Sequence, residues 1–229
     1  MRIFMSKRFS FLLFSAVTLT AFESAVDYSD PLVEQIIAME QTFEQEQMPC
    51  IISQYDNIMR KIAAEQGQDW RLMSAIAYSE SRFTEDLVSR QGAAGIMQIR
   101  PIVARHFNIP VEMIDDVETN IRLAGMLLSE LDHMLRLPAS TPASDRLSII
   151  LASYNAGVGH VMDARRLARI NGENPNSWET VSRYLELKAD PAYYENEAVR
   201  NGRFTGSRQT NGYVREVMRK YTQYCALAS

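Results

Sequence analysis

Apolar residues recur along this chain at three- and four-residue spacing and nowhere alternate with polar ones for more than a few positions. That period belongs to helices packed on a core, not to half-buried strands. After Ser53, the residues Tyr55, Ile58, Met59 and Ile62 hold the helical register, and Gly67 supplies a stop. Asp69 stands where a cap belongs, ahead of a stripe holding Leu72, Met73 and Ile76. Pro101 suits a first turn. Ile121, Ala124, Leu128, Leu131 and Leu135 mark a long helix. Thr141-Pro142 reads as a cap plus first-turn proline before Leu147, Ile150, Leu151 and Tyr154. A further helix runs from Val161 to Ala168 and stops at Gly172, and the last carries Val214, Val217, Met218, Tyr221 and Cys225 on one face. With Gly 10 and Pro 8, the chain is too poor in turn residues for a β protein. The fold class expected is mainly α, a compact multi-helix domain with little or no β-sheet. Residues 188–212 are polar and aperiodic apart from a possible turn of helix, a stretch longer than most compact-domain loops. It is expected to form a mobile flap.

The start of the chain reads as an export signal. Arg2, Lys7 and Arg8 precede Phe9 to Phe22, a stretch of 14 residues without charge. A bilayer span needs about 20, so residues 1–21 read as a signal peptide cleaved after Ala21 or Ala25. No stable membrane anchor is expected. Residues 22–50 form an acidic leader arm, and 51–229 are one domain large enough for a core. The formal charge is −4. Residues 1–21 hold three basic residues and no acid, so their removal leaves a body of −7. Such a body lacks the basic face that nucleic acid calls for, so no nucleic acid partner is expected. Two cysteines without a CxxC or Cys/His cluster point to no zinc site. Cys50 and Cys225 lie near the two ends of the domain. After export they either pair, the outcome expected here, or stay as separate buried thiols.

One glutamate continues an apolar stripe. Leu72, Ile76 and Glu80 are spaced i, i+4, i+8, and Met73, Ala77 and Glu80 are spaced i, i+4, i+7. Burial and the negative end of the helix dipole both disfavour a carboxylate there. Both raise its pKa toward the range of a general acid. The alternative is a glutamate at the rim of the stripe, paired with Arg82, Arg90 or another base. Two further segments stand out. Ser89 to Ile99 sets two glycines beside small residues, then a short apolar run enclosing Gln98. Small residues permit close backbone approach, and a buried amide needs a partner. Ser153 to Gly159 ends an amphipathic helix in a polar, glycine-rich turn. Taken singly, each is also what a tight turn or an ordinary helix stop looks like.

Taken in order, the segments resemble the catalytic module of the Slt-type lytic transglycosylases of the goose-type lysozyme superfamily. Glu80-Ser81-Arg82-Phe83 resembles the ES motif, Gly92-Ala93-Ala94-Gly95-Ile96-Met97-Gln98 the GAxGLMQ motif, and Tyr154-Asn155-Ala156-Gly157 the YNAG motif. Tyr213-Val214 looks like the YV of the last motif. The resemblance covers about residues 50–225 and implies a lysozyme-like fold with a groove for glycan. It implies Glu80 as single catalytic acid and base, Ser89 and Gln98 lining sugar subsites, and Met97 packed beneath the site. Tyr154 and Asn155 would face Glu80 and the substrate's acetamido group, and Tyr213 would hydrogen-bond near the Glu80 carboxyl. The partner implied is the glycan strand of peptidoglycan, cut between N-acetylmuramic acid and N-acetylglucosamine to leave a 1,6-anhydromuramoyl end, without cofactor or metal. Protein partners are not legible. The location implied is exported, periplasmic or at the cell envelope. A goose-type hydrolase of the same bond would need a second carboxylate to hold water, and Glu85 and Asp86 are the nearby acids. A silent peptidoglycan-binding scaffold is the third reading. Departures from the family pattern include Thr84-Glu85-Asp86-Leu87 after Phe83, Ser153 for a common alanine, Arg100 after the GAAGIMQ run, and Gln209 before Thr210.

Overall fold

The computed structural model describes residues 51–228, with Pro31 and Gln35 besides. The signal peptide, nearly all of the leader arm, and Cys50 lie outside the described residues. The chain divides into two units, Met1–Pro49 and Cys50–Ser229, and the second holds the apolar core.

Helices α1 (Asp56–Gln66) and α2 (Trp70–Ser81) open the domain and pack on each other. The buried carboxylate of Asp56 accepts from the backbone N–H groups of Ile51, Ile52 and Ser53 at 2.6, 2.9 and 2.8 Å. Gly67, at φ 65°, closes α1 as expected. Asp69 caps α2 by accepting from Arg71 N, also as expected. Helix α3 (Pro101–His106) opens on its proline, and a 3-10 turn, Val111–Asp115, leads to α4 (Val117–Leu135), capped by Asp116. Helices α5 (Ala143–Ala156) and α6 (Val158–Ile170) are separated by Gly157 alone, at φ 90°. Then come α7 (Trp178–Leu187), the single turn α8 (Pro191–Tyr194) and α9 (Ser207–Leu227). The only β-type pairing among the described residues is a pair of isolated bridges, Val88 with Ala94 and Ala94 with Ile99. The molecule is mainly helical, as its periodicity requires.

One apolar cluster runs from Tyr55 to Tyr224. Helix α9 packs on α2 and α5 and so closes the domain's end onto its beginning. Tyr221 Oη also donates to Asp69 Oδ2 at 2.8 Å.

Three expectations need correction. Helix α5 starts one residue later than the Thr141-Pro142 pair indicates: Pro142 occupies the cap position, and Thr141 Oγ1 is buried without a partner. Helix α7 is absent from the sequence reading, although Trp178, Val181, Tyr184 and Leu185 keep helical spacing. The expected Cys50–Cys225 bridge involves Cys50, which lies outside the described residues; Cys225 itself is a half-buried thiol.

The third concerns residues 188–212, which are pinned down. Asp163 on α6 is fully buried, and its carboxylate accepts from Lys188 Nζ at 2.7 Å and from the backbone N–H groups of Arg200 and Asn201, each at 2.9 Å. Arg166 pairs with the same carboxylate and donates to Ala198 O at 2.7 Å. Phe204 lies against the His160 ring at 4.6 Å. Residues 207–212 are the first turns of α9. A run of polar residues looks like a loose loop in sequence, but here one buried carboxylate satisfies its backbone donors.

Candidate active site

Glu80 lies in the last turn of α2, half-buried, and faces a cleft that it lines together with Tyr154 and Asn155 of α5 and Gln209 and Tyr213 of α9. Burial raises its carboxyl pKa to about 7, opposed in part by the Tyr213 hydroxyl, and no neighbouring acid contributes. Desolvation thus outweighs every other influence, as the stripe position predicts. The rim pairing with Arg82 or Arg90 does not occur: the salt-bridge partner of Arg82 is Glu216, at 4.0 Å.

Hydrogen bonds join the three motifs directly. Ser81 Oγ donates to Ile96 O at 2.8 Å, and Tyr154 Oη donates to Met97 O at 2.8 Å. Two successive carbonyls of the glycine-rich loop are therefore held, one by the ES motif and one by the YNAG motif. From the other side Asn120 on α4 completes the grip. Its Oδ1 accepts from Met97 N at 2.8 Å, and its Nδ2 donates to Ala94 O and Ile114 O, both at 2.9 Å. Gly95 has φ 76°, and a Cβ on it would stand 2.4 Å from Asn120 Nδ2. Backbone conformation and space both require glycine there. Asn120 and Ser81 are positioning residues that sequence reasoning missed. Asn120 carried a signal, since it sits on the apolar stripe of α4 with Ala124 and Leu128 and needs partners when buried.

A cleft passes Glu80 in two compartments that share Glu80, Asn155 and Gln209. The first, about 410 Å³, is lined also by Ser89, Gln98 and Tyr154. The second, about 700 Å³, is lined also by Ser79, Tyr213 and the outer face of α9. The sequence-derived candidates Glu80, Ser89, Gln98, Tyr154, Asn155 and Tyr213 are thus brought to one cleft, while Met97 is fully buried beneath it. Their hydrogen-bonding freedom is narrower than expected. Gln98, at φ 50°, donates its amide hydrogens to Leu87 O at 2.8 Å and Gly95 O at 3.0 Å, so only Oε1 remains for a ligand. Ser89 Oγ accepts from Ala93 N at 3.0 Å. Tyr154 spends its proton on Met97 O, and burial and the charge of Glu80 push its hydroxyl pKa well up. Asn155 Oδ1 accepts from Thr210 Oγ1 at 3.0 Å, leaving its amide hydrogens unengaged. Tyr213 Oη is buried without a formed hydrogen bond, yet lies near enough to Glu80 for its own pKa to be pushed well up, by burial first and then by the carboxylate.

The acids considered for a second role lie elsewhere. Glu85 is exposed and accepts from Tyr55 Oη, Asp86 is exposed, and neither lines the cleft. Among the described residues no group of three His, Cys, Asp or Glu side chains is arranged to hold a metal ion.

Three hydrogen-bonded motifs around one desolvated carboxylate define a class. Residues 57–176 match the family described as Transglycosylase SLT domain, and the chain belongs to that family. The match includes Glu80, the glycine-rich loop and the YNAG turn, and ends before Tyr213. Among relatives, the chain is 36% identical over 143 residues to the membrane-bound lytic murein transglycosylase F of Marinobacter nauticus, covering 62% of this chain and 28% of that protein. It is 35% identical over 167 residues to the protein of the same name from Alcanivorax borkumensis, covering 73% and 34%. The chain therefore spans about a third of the length of these relatives. The 70 kDa soluble lytic transglycosylase Slt70 of Escherichia coli is similar at 23% identity and a TM-score of 0.48, over 74% of this chain and 24% of that one.

Proposed function

We propose that the protein is a peptidoglycan lytic transglycosylase, cutting the β-1,4 bond between N-acetylmuramic acid and N-acetylglucosamine and leaving a 1,6-anhydromuramoyl end. The observation that carries this reading is the carboxylate of Glu80, raised to about 7 by burial and set in a cleft that the family's three motifs hold together. Near neutral pH such a group is protonated in part and can both give and take a proton.

In the reaction, protonated Glu80 donates to the glycosidic oxygen as the bond to the muramoyl anomeric carbon breaks. The substrate's own acetamido oxygen attacks that carbon and covers its positive charge. Glu80, now a carboxylate, takes the proton from the muramoyl 6-hydroxyl. That oxygen closes on the anomeric carbon, releases the acetamido group and forms the anhydro ring. A single residue serves both steps, so the pair of carboxylates that ordinary glycosidases use is not needed. The unengaged amide hydrogens of Asn155 and the free Oε1 of Gln98 are the protein groups available to orient the acetamido and hydroxyl groups. Tyr213 would donate to Glu80 as the carboxylate forms, which completes its unmade hydrogen bond.

The hydrolytic alternative needs a water-holding acid beside the bond, and the positions of Glu85 and Asp86 disfavour it. The names of the relatives and the signal-like start support a place of work at the cell envelope after export. No described helix is long and apolar enough to cross a membrane. Mass spectrometry of muropeptides released from purified sacculi tests the reading. Anhydromuropeptides are expected, and products heavier by one water would move the protein to the hydrolases.

A further inference from the structure

One hydrogen bond ties together two helices that line the cleft. Asn155, near the end of α5, lines both compartments beside Glu80. Thr210, in the first turns of α9, is 1% exposed, and its Oγ1 donates to Asn155 Oδ1 at 3.0 Å. A hydroxyl inside a helix commonly turns back to a carbonyl of its own helix. Ser74 donates in this way to Trp70 O, Ser153 to Ile149 O and Thr222 to Met218 O, at 2.9, 2.9 and 3.0 Å. Thr210 departs from that habit. Gly206 O, one turn back, accepts the Thr210 backbone N–H at 3.0 Å, while the hydroxyl crosses to α5. Among the described residues Asn155 Oδ1 is the one acceptor that the Thr210 hydroxyl reaches.

This arrangement fixes which way round the Asn155 amide stands. The two ends of an amide are nearly the same in shape and opposite in hydrogen bonding, one accepting and one donating. Turned over, Asn155 would set its Nδ2 hydrogens against Thr210 Oγ1. The hydroxyl proton would then be buried without an acceptor, at the full cost of its desolvation. In the orientation observed, Oδ1 is satisfied by Thr210 and both Nδ2 hydrogens are left for the cleft.

We propose that Thr210 is a positioning residue for the lytic reaction: its hydroxyl holds the Asn155 amide so that the donors, not the acceptor, meet the bound glycan strand. The proposal rests on the lytic transglycosylase reading and adds the residue that orients one of its substrate-facing groups. Thr210 lines neither compartment and acts through Asn155. An amide free to turn would spend part of its time presenting Oδ1 to the carbonyl and hydroxyl oxygens of the sugar, lone pair against lone pair.

The experiment compares Thr210→Val with Thr210→Ser, read as the rate of anhydromuropeptide release at low sacculus concentration, where the rate follows kcat/KM. Valine keeps the shape and loses the donor, so the rate should fall by about tenfold, the scale of one buried hydrogen bond. Serine keeps the donor and loses a buried methyl, so the rate should stay within about threefold of wild type although the variant melts below Thr210→Val. A packing role alone predicts the reverse order of rates. In an Asn155→Ala background, Thr210→Val should cost nothing further, because the group it orients is gone. The decline of lysis through about pH 7 should stay in place in both Thr210 variants, since Glu80 is untouched. A valine variant within about twofold of wild type, a serine variant that falls as far as valine, or a valine loss undiminished beside Asn155→Ala overturns the positioning role and leaves the lytic reading standing. Wild type that releases no anhydromuropeptides overturns the lytic reading and the positioning role with it.

Discussion

At the scale of one residue, the raised pKa of Glu80 has a consequence for stability as well as for chemistry. The unfolded carboxyl ionises near 4.5 and the folded one near 7. Below the lower value both states keep the proton, and burial carries no electrostatic penalty. As pH rises from there the unfolded state releases its proton first, and stability falls until the folded carboxyl ionises near 7. Above that the full cost, about 3 kcal/mol, stays in place. Glu80→Gln removes the titration. The variant should therefore melt roughly 6–12 °C higher than wild type at pH 8 and no higher at pH 4. Calorimetry at the two values decides it, and equal melting at pH 8 would mean the carboxyl is solvated. The same variant should lose lysis by about 10²-fold or more, because an amide is no general acid. In wild type, lysis should decline as pH climbs through about 7, where the acid form of Glu80 disappears. Glu80 was legible in the sequence because it broke an apolar stripe. The orientation of Gln98 was not, since it arises from a left-handed backbone turn at a residue type that seldom adopts one.

At the scale of elements, the helices were legible wherever apolar spacing and a cap agreed. Gly67 and Asp69 ended and began helices where the sequence placed them. Residues 188–206 were not legible because their order comes from a partner far along the chain. Asp163 is the anchor. Burial works against its ionisation, yet Lys188 and the N–H groups of Arg200 and Asn201 outweigh that and hold its pKa at about 2. This contribution to stability is present in full above the unfolded value of 3.8 and is lost as pH falls through about 2. Replacing Asp163 leaves the buried Lys188 ammonium without its counter-charge, whereas replacing Lys188 leaves Asp163 with Arg166 and two backbone donors. Asp163→Asn should therefore destabilise by about 3 kcal/mol, the scale of a broken buried pair. Lys188→Met should cost distinctly less. Denaturant melts give the two values, and hydrogen exchange should quicken at Arg200 and Asn201 in the Asp163 variant alone. Equal losses in both variants would mean that Lys188, not Asp163, organises the segment.

At the scale of the molecule, the domain closes on itself. Its apolar cluster draws on α1 through α7 and on α9, from Tyr55 to Tyr224. The last helix lies on α2, one of the first, and the Tyr221 to Asp69 hydrogen bond spans 152 positions. Such closure was only partly readable beforehand. Amphipathic faces announce that helices pack, but not which helix meets which, and no local pattern pairs Tyr221 with Asp69. The proposed catalytic arrangement depends on that closure, because Glu80 comes from α2, Asn155 from α5 and Tyr213 from α9. If the core is self-sufficient, residues 50–229 expressed alone should unfold in one cooperative step, as a domain of this size with a single core does. The fragment should also lyse sacculi at a rate within about threefold of the longer chain, since every residue assigned to the chemistry lies inside it. Thermal unfolding followed by both far- and near-ultraviolet circular dichroism tests the first part, and a sacculus turbidity assay tests the second. Two separated transitions, or a fragment that keeps its helices but loses lysis, would overturn the self-sufficiency of the core.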